Sequence, residues 1–189
     1  DDDNAIARGA DLAVANNARV INISLGGSPA NNNLRAAVGR ATAAGVVIVI
    51  SAGNEFDTDP ANAINPDPLA QLANDSIARN LIIIAGGLES TNVITDFSNR
   101  AGNGATHYLG ALARRVVSID ETGATFRFTG TSFSAPIIAG AVALLAQAFP
   151  NLTGAQIVDL LMRSADDLGE TGTDSIYGRG ALNIGRAFA

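Results

Sequence analysis

The segment GTSFSAP, residues 130 to 136, sets one serine hydroxyl between a glycine turn and an apolar run. A serine displayed there could be a nucleophile. A serine hydroxyl is too weak an acid to attack a carbonyl unaided, so it needs a base within hydrogen-bond reach. The chain holds a single histidine, His107, in ATHYLGAL, and no cysteine, which excludes thiolate nucleophiles, thiolate metal sites and disulfides. Two other segments join small residues to polar ones, ISLGG at 23 to 27 and SAGNE at 51 to 55. Each has a plain structural reading: a strand-ending glycine turn, a turn asparagine, and, for Ser132, a helix cap. Their occurrence together at strand ends favours a site.

The elements that must position these residues alternate between strand and helix. VINISL (20 to 25), VVIVIS (46 to 51) and LIIIAGG (81 to 87) are continuous apolar runs, the mark of parallel strands covered on both faces. Ile6, Ala10, Ala13 and Val14 recur at helical spacing behind an Asp3 or Asn4 cap, and Asn16-Asn17 breaks that helix. Leu34, Ala37, Val38 and Ala41 mark a second helix, with Asn31 to Asn33 leading in and Gly45 closing it. Shorter strands are expected near 93 to 95, 116 to 119 and 125 to 128. The run IIAGAVALLAQAF after Ser132 is apolar nearly all round and predicts a central, buried helix. Thr153 and Gln156 have capping-box spacing before a helix that turns Ile157, Leu160 and Leu161 inward. The expected fold is one α/β domain with a mostly parallel sheet. In such sheets ligands sit beyond the carboxyl ends of the strands, where Ser24 to Gly27 and Ala52 to Asn54 lie.

A net charge of −6 and the lack of a basic stripe exclude nucleic acid as an expected partner. No basic segment followed by an apolar run opens the sequence, so no signal peptide is expected within it. No apolar stretch reaches the roughly 20 residues of a membrane helix, so no membrane insertion by this segment is expected.

GTSFSAPIIAG resembles the active-serine signature of the subtilisin-like serine peptidases, with Gly130, Thr131, Ser132, the small Ser134 and Pro136 in place. SAGNE resembles the segment whose asparagine lends its amide to the oxyanion hole, VINISLGG resembles the family's substrate-binding strand, and YGRGALNIGRAFA resembles its closing segment. The resemblance covers essentially the whole chain. It implies a subtilisin-like fold with helices on both faces of the sheet, and an endopeptidase with Ser132 as nucleophile and Asn54 as oxyanion donor. Ser24, Leu25, Gly26, Ala52, Gly53 and Thr131 would bind a peptide or protein substrate, with Glu55 near the base of the pocket. DFSNRAGNGATHYLGAL is further similar to the passenger domains of bacterial autotransporters, which implies a secreted or bacterial cell-surface protein.

In that family the acid and the base precede every segment quoted so far, so residues 1 to 189 resemble the C-terminal portion of a catalytic domain truncated at its N-terminus. Asp1 to Asp3 read as helix-start charges, and His107 as a structural histidine beside a tyrosine. The expected partner is therefore the missing N-terminal portion, and without it self-association through exposed apolar surface. The alternative is a catalytically inert peptide-binding or assembly module that keeps the cleft. An α/β hydrolase is disfavoured because Gly-x-Ser-x-Gly is absent around Ser132. Phe133 stands where the family has methionine and is expected to narrow the cleft. The loop from Asp57 to Asp67 is rich in oxygen ligands without calcium-loop spacing, so neither metal nor cofactor is expected.

Overall fold

The computed structural model describes residues 2–189, and the reading of Asp1 lies outside them. Four parallel strands form the central sheet in the order β1 (Val20–Ile23), β2 (Val47–Ser51), β3 (Ile82–Leu88), β4 (Tyr108–Leu112). Helices α1 (Asp3–Ala15) and α2 (Asn32–Ala43) cover one face, against Ile48, Ile50, Ile82 and Ile84. On the opposite face α3 (Thr131–Ala148), α4 (Gly154–Ser164) and α5 (Ile184–Phe188) pack on Val47, Val49, Ile83 and Ala85. Alternate residues of β2 and β3 thus serve two cores, which is why both runs are apolar without interruption. An antiparallel hairpin of β5 (Val116–Ile119) and β6 (Thr125–Phe128) leads into α3.

Local signals act as the sequence predicts at several ends. The Asn31 side chain accepts the Leu34 N–H at 2.9 Å and starts α2. Gly45 follows that helix with φ 78°, a conformation that favours glycine. Thr153 and Gln156 close a reciprocal capping box on α4.

Four expectations are corrected. Asp2, not Asp3 or Asn4, caps α1, while Asp3 accepts the Asn31 N–H and ties α1 to α2. The expected strand at 93 to 95 is a single bridge between Ile94 and Leu88. β4 escapes the sequence reading because YLGAL is short and glycine-interrupted; it pairs with β3 through Gly86 opposite Gly110, and the Tyr108 ring occupies the space where a Cβ on Gly86 would stand. β1 and α3, expected to be buried throughout, are each open on one side. Asn22 is exposed on β1, and Ile137 and Leu144 are exposed on α3, since neighbouring elements cover only part of each. The two sheet edges also differ. The outer edge of β4 is bonded by residues 179 to 182, whereas no described strand pairs with the outer edge of β1.

Candidate active site

Because all four strands run parallel, their carboxyl ends share one edge of the sheet. Ile23 stands opposite Ile50, which puts Ser24 beside Ser51, and the Ser51 hydroxyl donates to the Leu25 carbonyl at 3.2 Å. Beyond the strands Asp67 joins the same two segments. Its N–H donates to the Ala52 carbonyl at 2.7 Å, and its carboxylate accepts the Gly27 N–H at 3.0 and 3.1 Å. Ser24 to Gly27 and Ala52 to Asn54 are thereby held side by side at one edge of the sheet, as the walls of the expected cleft require.

Ser132 stands in the first turn of α3, above these walls. A helix start leaves backbone N–H groups without partners, and here they are treated unequally. Thr131 donates its N–H to Asn54 Oδ1 at 2.8 Å and Phe133 donates to the Gly130 carbonyl at 3.0 Å, while the Ser132 N–H has no acceptor among the described residues. The Thr131 hydroxyl also donates to Asn54 Oδ1, at 3.0 Å. With its oxygen fixed in this way, Asn54 keeps Nδ2 free of any described acceptor and lies alongside Gly130. Ser24 supports the turn from below, donating to the Ser132 carbonyl at 2.8 Å and accepting from Asn22 Nδ2 at 2.9 Å. Two donors without described acceptors thus stand at the start of α3, one on Ser132 and one beside Gly130.

Some expected contacts change. Thr131 is fully buried, so it does not touch a peptide; its side chain holds Asn54 and accepts the Gly53 N–H at 3.3 Å. Ala52 and Gly53 are buried as well, which leaves Asn54 and Glu55 as the exposed part of that wall. Phe133 does not lean across the cleft, because its ring stacks on Phe128 of the hairpin at 5.0 Å. Glu55 turns its carboxylate back to accept the Asn54 N–H at 2.8 Å, beneath the Cα of Gly53.

Two residues were missed by sequence reasoning. Asn99 donates its N–H to the Gly53 carbonyl at 3.1 Å and accepts the Glu55 N–H on its side chain at 2.9 Å, bracketing Asn54. Its only signal is a place in DFSNR. Asp67 reads as one more solvated loop carboxylate, yet it is buried. Burial raises its pKa and the charge of Glu55 raises it further, against the lowering effect of bonds from Leu69 and Gly27.

His107 lies at the opposite edge. It precedes β4 at the amino end of the sheet, separated from the carboxyl edge by the length of a five-residue strand, about 16 Å. There it lines a cavity of about 460 Å³ with Asn80, Thr106, Asp159 and Arg179. Burial lowers its pKa, so the folded state binds the proton less readily than the unfolded chain. The stability from neutral His107 is complete above its unfolded pKa of about 6.5 and is lost as pH falls through that value toward the lower folded one. His107→Gln is therefore expected to flatten the fall of the urea midpoint between pH 7 and 5. Superimposable midpoints for the variant and the parent would contradict it.

Strand order, helix layers and the displayed serine define an α/β protein of the subtilisin-like fold. The sequence profile of the Subtilase family matches residues 2–180, and the chain belongs to that family. It is 32% identical over 180 residues to subtilisin DY of Bacillus licheniformis, covering 95% of this chain and 60% of the relative. Serotype-specific antigen 1 of Mannheimia haemolytica is 34% identical over 166 residues, which is 83% of this chain and 17% of the antigen. Among solved structures, the self-cleaved protease domain of PatA superposes with a TM-score of 0.81 at 28% identity, over 99% of this chain and 67% of that one.

Proposed function

We propose that this chain is the C-terminal portion of a subtilisin-like serine endopeptidase that hydrolyses peptide bonds through an acyl-enzyme on Ser132. The observation that supports the reading is that Asn54 Nδ2, held beside the Gly130 turn, and the Ser132 N–H are both without a described acceptor at the start of α3. A peptide laid along Ser24, Leu25 and Gly26 as an added strand brings its scissile carbonyl over Ser132. The hydroxyl oxygen attacks the carbonyl carbon as a base removes its proton, and the carbonyl oxygen takes the negative charge between the two donors. The proton passes to the leaving amine, and water then releases the acyl group from Ser132.

The base and its orienting carboxylate would come from sequence upstream of residue 1. Three observations support this. The one histidine lies at the far edge of the sheet, the chain spans 60% of the length of subtilisin DY, and no described strand pairs with the outer edge of β1. Beside that edge a groove of about 390 Å³ is lined by Ile6, Ala10, Ile21, Ile23 and Leu25, and Leu12 is exposed nearby on α1. An upstream strand would cover this apolar surface, and without it two copies of the chain would pair there. We place the protein outside the cell or on a bacterial surface, on its similarity to autotransporter passengers and to the Mannheimia antigen.

The test is hydrolysis of a fluorogenic peptide library by the protein extended upstream, beside its Ser132→Ala variant. Turnover that the variant abolishes is expected. An extended protein that binds peptides and cleaves none of them identifies the inert binding module instead.

A further inference from the structure

Asp67 has no part in the chemistry at Ser132, yet it is the residue that bonds both walls of the cleft. One carboxylate oxygen lies 3.0 Å and the other 3.1 Å from the Gly27 N–H, and the first also accepts the Leu69 N–H at 2.9 Å. Through its own N–H it bonds the Ala52 carbonyl at 2.7 Å. The carboxylate is packed directly under the first wall, since a Cβ on Gly26 would stand 2.8 Å from Asp67 Oδ2. A residue only 8% exposed, its carboxylate committed to three acceptor contacts, has few ways to move. Its removal frees the glycine pair Gly26-Gly27, and Gly27 already sits at φ 140°, where few other residues go.

We propose that Asp67 is a positioning residue that fixes the spacing between the Ser24 to Gly27 wall and the Ala52 to Asn54 wall, and so governs how tightly the peptide residues preceding the scissile bond are held. The proposal rests on the peptidase reading given above. It separates binding from chemistry: Thr131 fixes Asn54 and Asn99 fixes its neighbours Gly53 and Glu55, neither of the two bonding Asp67, whereas the strand that a peptide joins ends in the two glycines above its carboxylate. Ground-state and transition-state binding should then weaken together, which appears in KM.

The charged groups around Asp67 give the proposal a pH signature. Glu55 and Asp59 line the cavity that Asp67 borders, with the neutral Asn62, Asn65, Gln71 and Asn99, and no basic side chain lines it. Arg35, beyond Pro68 and Gln71, is paired with Asp75. Burial without a cationic partner raises the pKa of the Asp67 carboxyl, so protonation that weakens its hold on Gly27 comes at higher pH than it would for a free carboxylate.

The experiment measures kcat and KM for a peptide amide between pH 4.5 and 8 with the upstream-extended protein and its Asp67→Asn and Asp67→Glu variants. Asparagine keeps the shape and loses one acceptor oxygen and the charge. For Asp67→Asn, KM is expected to rise about tenfold, the size of a lost bond to a charged group, while kcat falls less than threefold. The parent KM should climb as pH drops, and the Asp67→Asn KM should lack that limb. Asp67→Glu, which restores the charge, should recover part of the binding. A change confined to kcat, or equal acid limbs in parent and Asp67→Asn, overturns the role of Asp67 and leaves the peptidase reading intact. A parent that does not turn over removes the reading and the proposal with it.

Discussion

The 189-residue chain on its own is expected to leave Ser132 unlabelled by a fluorophosphonate probe, while the protein extended upstream labels rapidly. The probe needs the same proton removal as a peptide, and among the described residues no hydrogen bond joins the Ser132 hydroxyl to a base. The one side chain bonded to Ser132, the Ser24 hydroxyl on its carbonyl, is no base near neutral pH. His107 stands a strand length away, on the far side of the sheet. Removing the base from a triad costs about 10⁶ in rate, so a difference of several orders of magnitude should separate the two proteins. Ser132→Ala gives the blank, and His107→Ala should behave as its parent. Labelling of the isolated chain that disappears in His107→Ala would make His107 the base and remove the need for upstream residues. Size-exclusion chromatography of the same samples reports on the outer edge of β1. A monomer with no affinity for the added upstream segment would contradict the docking role given to that edge.

Different parts of this arrangement were legible in the sequence for different reasons. β2 and β3 could be read because both faces are buried and every residue is apolar, and α2 because Leu34, Ala37, Val38 and Ala41 fall on one buried stripe. Ser132 and Asn54 stood out as short segments of unusual composition at strand ends, and the structure sets those segments next to each other. β4 was not, because a strand of five residues with a central glycine carries no periodic signal, and its pairing depends on Gly86 admitting the Tyr108 ring. The buried state of Thr131 and the clamping role of Asp67 were also out of reach. Each depends on a partner far along the chain, Asn54 for Thr131 and Gly27 for Asp67, and no local pattern encodes it. The exposed side of α3 shows the same limit from the other direction. Composition says how apolar a helix is, and only neighbours decide which side is covered.

Asn54→Ala in the upstream-extended protein is expected to lower kcat by 10²–10³ while KM changes by less than about threefold. The asymmetry follows from where the amide is held. Thr131 fixes Asn54 Oδ1 through two bonds, from its N–H at 2.8 Å and its hydroxyl at 3.0 Å, which orients Nδ2 before any substrate arrives. A neutral carbonyl oxygen gains little from that donor, whereas the oxyanion of the tetrahedral intermediate gains a charge-assisted bond. The Ser132 N–H remains after the substitution, so activity is reduced and not abolished. Thr131→Val extends the argument one step back. Valine nearly preserves the shape of a fully buried side chain, yet removes the hydroxyl that donates to Asn54 and accepts from Gly53. One of the two bonds to Oδ1 survives, so the kcat loss should be smaller, about tenfold, and combining it with Asn54→Ala should add almost nothing, since both changes act through one amide. Full additivity of the two losses would mean that Thr131 acts on the reaction by a route other than Asn54. A fall in substrate affinity with kcat preserved in Asn54→Ala would place that amide among the binding contacts and take it out of the oxyanion site.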